Sequence, residues 1–184
     1  MAWHVVQLDR VAATPWRNGG GLTRELAVFP VHEHWHWRIS VADIEHNGPF
    51  SRYEGVQRWF AVLGGAGVRM EVGGSIQVLE PSSEPFAFDG AGEADCELLE
   101  GATRDLNLMV RVGRGSMRRL RGRSALAVSS GAAVALWTGA SPASACFEGV
   151  ETAFQPATLA WRHLDLGGRI EVEATDGLWM EIAP

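Results

Sequence analysis

The sequence predicts an all-β protein with two barrel-like lobes and a pocket for a small polar ligand. Three observations carry that prediction. Short runs rich in β-branched and aromatic residues alternate with Gly, Pro and Asp. Hardly any stretch holds a helical period, and a strand–turn rhythm in the middle of the chain returns near its C-terminus. Many short strands at close spacing suit a sandwich, jelly roll or closed barrel. With 184 residues, 46% of them hydrophobic and 21% charged, the chain can bury one ample core or two small ones.

The first expected strand is Trp3–Leu8. The start, Met-Ala-Trp-His-Val-Val, lacks the basic opening and long apolar run of a secretory signal, so the expected location is cytoplasmic. The string Thr14-Pro15-Trp16-Arg17-Asn18-Gly19-Gly20-Gly21 then leads into a strand over Leu22–Phe29. Three successive glycines permit special turns or a close backbone approach. Thr23 and Glu25 project from one face of the following strand, and with Asn18 they are candidate ligand contacts.

The next strand, Trp35–Ile44, alternates strictly, with Trp37, Ile39 and Val41 on one face and Arg38, Ser40 and Ala42 on the other. If the second face lines a barrel, Arg38 must be paired or directed at a ligand, because an isolated buried charge is costly. Arg58 opens the apolar strand Arg58–Leu63 just after a Gly-bearing turn, a strand mouth where a guanidinium fork recognises carboxylates. Val68–Val72 and Ser75–Leu79 follow glycine-rich turns at Gly64–Gly67 and Gly73–Gly74. Along Leu106–Val112 the device repeats: Asp105, Asn107, Met109 and Arg111 share one face, and Leu106, Leu108 and Val110 the other.

Gly113–Arg123, carrying Arg114, Arg118, Arg119, Arg121 and Arg123, reads as the seam between lobes and as a solvated connector or exposed strand face. Beyond it Leu126–Ser129 and Ala133–Thr138 flank a Ser-Ser-Gly turn. The uncharged stretch Ser124–Phe147 is too broken by Ser, Gly and Pro for a membrane span of about 20 residues. Leu159–Leu164, Ile170–Ala174 and Leu178–Ile182 complete the series, with turns at Gly167-Gly168 and Asp176-Gly177. The expected division is an N-terminal lobe of residues 1–112 and a C-terminal lobe of 113–184, packed as one structural unit, with strand exchange between them allowed.

Composition removes several functions. A net charge of −6, from 16 basic against 22 acidic side chains, opposes a nucleic-acid surface. Every basic side chain counted is Arg, which removes Schiff-base and pyridoxal-phosphate chemistry. Cys96 and Cys146 match no metal spacing and read as free thiols. No nucleophile elbow, phosphate loop, dinucleotide fingerprint or paired-Cys motif is present.

Four strings in order, PWRNGGGLTREL, WRISVADI, GPFSRYEGVQRWFAVLGG and RDLNLMVR, resemble the HutD/Ves family over about Pro15 to Arg111. The resemblance implies a double cupin-like (bicupin) fold that binds a small acidic metabolite and regulates or buffers histidine utilisation. Carried over by position, the pocket falls on Asn18, Thr23, Glu25, Arg38, Ser40, Ser51, Arg58 and Asn107. Arg58 and Arg38 would take the carboxylate, Asn18 and Asn107 would supply amide hydrogen bonds, and Glu25 would orient an arginine or accept a ligand N–H. Position 17 is Arg where the family commonly has Lys, and the C-terminal half shows no matching motif.

No cofactor is expected. His32, His34 and His36 alternate and suggest metal ligands, but metal-dependent cupins place two His and a Glu on a strand after a Gly-rich turn. Arg58–Leu63 has no His, so a surface hairpin is the preferred reading of the three. Recognition ranks ahead of turnover, because the polar set holds anchors but no nucleophile. A metal-independent isomerase, epimerase or hydrolase with Glu25 as base is the alternative. The expected partner is a small carboxylate-bearing metabolite, with no nucleic acid or membrane, and a homodimer is left open.

Overall fold

A computed structural model of the chain describes residues 2–184. The all-β expectation is met: the described helical structure is one 3₁₀ turn at Leu8–Arg10. No helix among the described residues is long and apolar enough to cross a membrane. The chain divides into two compact units, one of Ala12–Val112 and one in which the N-terminal segment through Val11 joins Gly113–Pro184. The first strand, β1 (His4–Gln7), therefore sits with the C-terminal part of the chain, not in a lobe running from residue 1 to 112.

The Ala12–Val112 unit holds ten strands: β2 (Thr14–Pro15), β3 (Gly21–Phe29), β4 (Trp37–Ile44), β5 (Gly48–Pro49), β6 (Gln57–Gly64), β7 (Val68–Val72), β8 (Ser75–Leu79), β9 (Phe86–Asp89), β10 (Ala94–Leu98) and β11 (Thr103–Val110). They form a six-stranded sheet in the order β2-β3-β4-β11-β6-β9 and a four-stranded sheet in the order β5-β10-β7-β8. Ile44, Phe60, Val62 and Phe88 from the larger sheet pack with Val68, Met70, Leu79 and Cys96 from the smaller one. Each fully buried large side chain in such a layer stabilises by about 1.5–3 kcal/mol.

The triple glycine uses both of its expected freedoms. Gly19 takes φ +71° in a turn whose N–H returns to the Trp16 carbonyl at 3.0 Å. A Cβ on Gly21 would lie 2.3 Å from the Asp43 carbonyl oxygen, so only glycine lets β3 begin this close to β4.

In the other unit β1 is joined by β12 (Arg114–Val128), β13 (Ala133–Trp137), β14 (Ala143–Phe147), β15 (Val150–Phe154), β16 (Thr158–His163) and β17 (Gly168–Ala183). The sheet runs β1-β16-β13-β17-β14-β15, with β12 also pairing β17. One expectation is met here and one is corrected. Of the two readings of segment 113–123 the exposed strand face holds: Arg114, Arg118, Arg121 and Arg123 are exposed, whereas Gly115, Met117 and Leu120 are buried. Asp176-Gly177 is no hairpin turn, because β17 runs through it, its first half pairing β14 and its second half β13. The register shift between Leu120 and Gly122 lets the β12–β17 pair pass from one half to the other.

Candidate functional site

The six-stranded sheet lays its polar side chains in cross-strand rows. Thr23, Ala42 and Asp105 form one row, and Glu25, Ser40, Asn107 and Phe60 the next. A bulge between Glu25 and Ala27 resets the phase of β3, so the third row is Val28, Arg38, Met109 and Arg58. Successive residues of one strand point to opposite faces, which places Asp105, Asn107 and Met109 on the same side. Above these rows is a cavity of about 750 Å³, lined wholly by residues of the Ala12–Val112 unit.

All eight residues singled out from the sequence line this cavity: Asn18, Thr23, Glu25, Arg38, Ser40, Ser51, Arg58 and Asn107. Arg58 is 5% exposed, its Nη1 donating to the Ser51 carbonyl and its Nη2 to Asn107 Oδ1, both at 3.3 Å. Its Nε has no partner. The guanidinium carbon lies 4.9 Å from the ring centre of Phe88 and 5.1 Å from that of Phe50. Burial pulls its pKa down to about 10, and the field of Asp105 partly restores it.

Arg38 donates from Nε and Nη2 to the Met109 sulfur at 3.3 and 3.2 Å, and its guanidinium lies 5.0 Å from the Trp35 ring centre and 5.1 Å from that of Tyr53. Glu25 is 3.9 Å from Arg38 through one oxygen and 3.1 Å from His32 Nδ1 through the other. Trp16 donates its indole N–H to the Thr23 hydroxyl at 2.6 Å. Asn18 Oδ1 accepts from the Gly20 N–H at 3.0 Å, so this amide oxygen shapes the turn and only its NH₂ is left for a ligand.

Asp105 is the residue that sequence reasoning placed on the right face but did not select. It is fully buried, accepts a hydrogen bond from the Asn107 amide through Oδ2, and its Oδ1 has no partner. Burial pushes its carboxyl well above the usual range, opposed chiefly by Arg58. Trp16, Tyr53 and Met109 also line the cavity. Met109 was legible from alternation, whereas Tyr53 arrives from an irregular loop with no periodic signal. Arg111 shares the alternation but stacks on Trp35 at 4.1 Å, outside the cavity lining. His32, His34 and His36 are exposed in the β3–β4 loop, not on a strand, and only His32 reaches the cavity. Among the described residues no three His, Cys, Asp or Glu gather as metal ligands.

The HutD family model matches residues 9–180. The chain belongs to the HutD family. The match extends well past Arg111 into the C-terminal part, where no motif was legible. Among HutD-related sequences, an uncharacterised 21.2 kDa protein in the hutC 3′ region of Pseudomonas putida is 42% identical over 97 residues, covering 52% of this chain and 51% of that protein. Protein Ves of Escherichia fergusonii is 39% identical over 98 residues, covering 52% and 51%. The aligned part of the chain thus spans about half the length of these curated relatives. The structure of HutD from Pseudomonas fluorescens SBW25, in a formate condition, superposes with a TM-score of 0.86 at 26% identity over 99% of this chain and 98% of that one. A cupin 2 conserved barrel domain protein from Leptotrichia buccalis, 8% identical over 100% of this chain and 98% of that one, superposes with a TM-score of 0.60. That likeness establishes the cupin-like fold of this HutD member.

Proposed function

We propose that the cavity captures a small carboxylate-bearing metabolite, with Arg58 as its anchor, and that the protein acts by recognition, regulating or buffering histidine utilisation. The observation that carries this reading is Arg58 itself. A buried guanidinium normally finds a carboxylate, because leaving its charge uncompensated is costly, yet both hydrogen bonds of Arg58 go to neutral oxygens at 3.3 Å. A ligand carboxylate would complete its fork. Arg38 supplies a second cation on the next-but-one strand, and Tyr53 and Trp16 give the walls an apolar, aromatic character. The name of the Pseudomonas putida relative supports the link to histidine utilisation.

One observation favours the enzyme reading as the second choice. Glu25 and His32, 3.1 Å apart at the cavity, are a carboxylate–imidazole pair of the kind that moves protons in isomerases and hydrolases.

The test is a thermal-shift screen against urocanate, formylglutamate, formiminoglutamate, glutamate and several sugar acids, with loss of each compound followed in the same wells. A ligand at a hundred times its Kd stabilises the native state by about 2.7 kcal/mol, a shift of several degrees. Stabilisation without turnover supports recognition, whereas turnover moves the enzyme reading to first place. The shift is expected to vanish in Arg58→Ala, since truncating one side of a buried charged contact costs about 2–5 kcal/mol. An undiminished shift in that variant would overturn the anchor assignment.

A further inference from the structure

We infer that the cavity takes up a carboxylate and a proton together, the anion on Arg58 and the proton on Asp105, with the Asn107 amide linking the two sites. This rests on the reading of the cavity as a carboxylate site and adds a second ligand to it.

Asn107 is held from both sides. Its Oδ1 accepts from Arg58 Nη2 and its Nδ2 donates to Asp105 Oδ2, so guanidinium and carboxyl are separated by one amide. Both ends are buried, Arg58 at 5% exposure and Asp105 at 0%, and all three residues line the cavity. Little water screens the charges in such a place, and each is felt strongly by the other.

The titratable groups facing Asp105 come from two other strands. From β6 comes Arg58, the one positive charge that favours its ionised form. Asp43 of β4, on the opposite face of the sheet, acts only through space and is held by Arg24 at 2.8 Å and Arg104 at 2.6 Å. From β10 comes Cys96, whose thiol is pushed up to about 12 by burial and stays neutral. On its own strand Asp105 has the Asn107 amide, while its Oδ1 has no partner. Its ionised form therefore depends on Arg58.

A carboxylate on Arg58 consumes that support. Two anions would then share one buried cation, and like charges that close cannot both remain ionised cheaply. The weaker acid of the two is Asp105, already raised by burial. Wherever the empty cavity holds Asp105 ionised, filling it draws a proton from solvent onto that carboxyl, and the filled cavity returns to the net charge it had when empty.

Titration calorimetry of the full chain with sodium formate, in buffers of different ionisation heat, counts the protons taken up. Formate itself stays ionised between about pH 5 and pH 9, so any pH dependence in Kd belongs to the protein. The expected result is uptake approaching one proton per formate on the alkaline side of the empty site's own titration, with affinity tightening up to about tenfold for each pH unit of acidification there. Infrared difference spectra should gain a protonated-carboxyl band on adding formate, and the band should be missing in Asp105→Asn. Saturable binding with no proton exchange and a flat Kd throughout would overturn the inference while leaving the carboxylate reading intact. No formate binding at any pH would overturn both.

Discussion

Asp43 and Asp105 lie on opposite faces of the same sheet and pull stability in opposite directions with pH. The Asp43 carboxyl is held below its usual range, first by the hydrogen bond from Arg104 and then by that from Arg24, with burial working against both. A carboxyl lowered in the folded state stabilises above its unfolded pKa, near 3.8, and loses that contribution as pH falls through the folded value. Asp43→Asn is therefore expected to cost about 1–2 kcal/mol at neutral pH and to flatten the acid limb of the stability curve, read from urea midpoints at several pH values. Asp105 is raised, so its contribution is present in full below about 3.8 and is lost as pH rises through the folded value. The difference between Asp105→Asn and wild type should accordingly move in the variant's favour on going from acid to neutral pH. A constant difference would show that Asp105 does not titrate differently in the fold. At this scale the sequence was informative wherever alternation assigned a face, which is why Arg38, Ser40 and Asn107 could be placed on the side that lines the cavity. It was silent about Tyr53, whose place depends on a loop closing back over Arg58.

Among the elements, β3 links the fold to the cavity most directly. Gly21 sits against the Asp43 carbonyl, and Thr23 and Glu25 follow on the same strand at alternate positions. Gly21→Ala is expected to push β3 off β4 at an overpacking cost of about 1–3 kcal/mol. It should also weaken ligand-induced stabilisation without touching any cavity residue. Melting curves with and without ligand measure both effects, and a full ligand shift in a destabilised variant would separate strand placement from binding. Val68–Val72 and Ser75–Leu79 were legible to the residue, because glycine pairs bracket clear β-runs. Ala94–Leu98, Ala143–Phe147 and Val150–Phe154 were not, since Asp95, Glu97, Ser144 and Glu151 dilute the hydrophobic signal on their outward faces. Asp-Gly at 176–177 misled for a different reason: long-range pairing with β12, β13 and β14 overrode a local turn preference.

For the molecule as a whole, protection should follow the layering of the sheets. β11 is paired on both sides, by β4 and β6, and Leu106 and Leu108 are fully buried. Their amides are expected to exchange slowest in the Ala12–Val112 unit, while those of the edge strand β8, whose Ile76 and Val78 are exposed, exchange fastest among its strands. Mass-resolved hydrogen exchange decides this, and early exchange in β11 would mean that the sheet opens from its middle. The two-lobed all-β fold was legible from rhythm alone, but the membership of β1 was not. Pairing between His4 and Trp161 leaves no trace in either local sequence.

That pairing has a temporal side. During synthesis His4–Gln7 leaves the ribosome long before Thr158–His163 exists, so β1 has no partner until β16 has emerged. None of its four residues is fully buried even in the finished sheet, which spares the waiting segment a strongly sticky surface. A strand translated well before its partner is thus late to dock, and the β16 edge stays open to competing strands until it does.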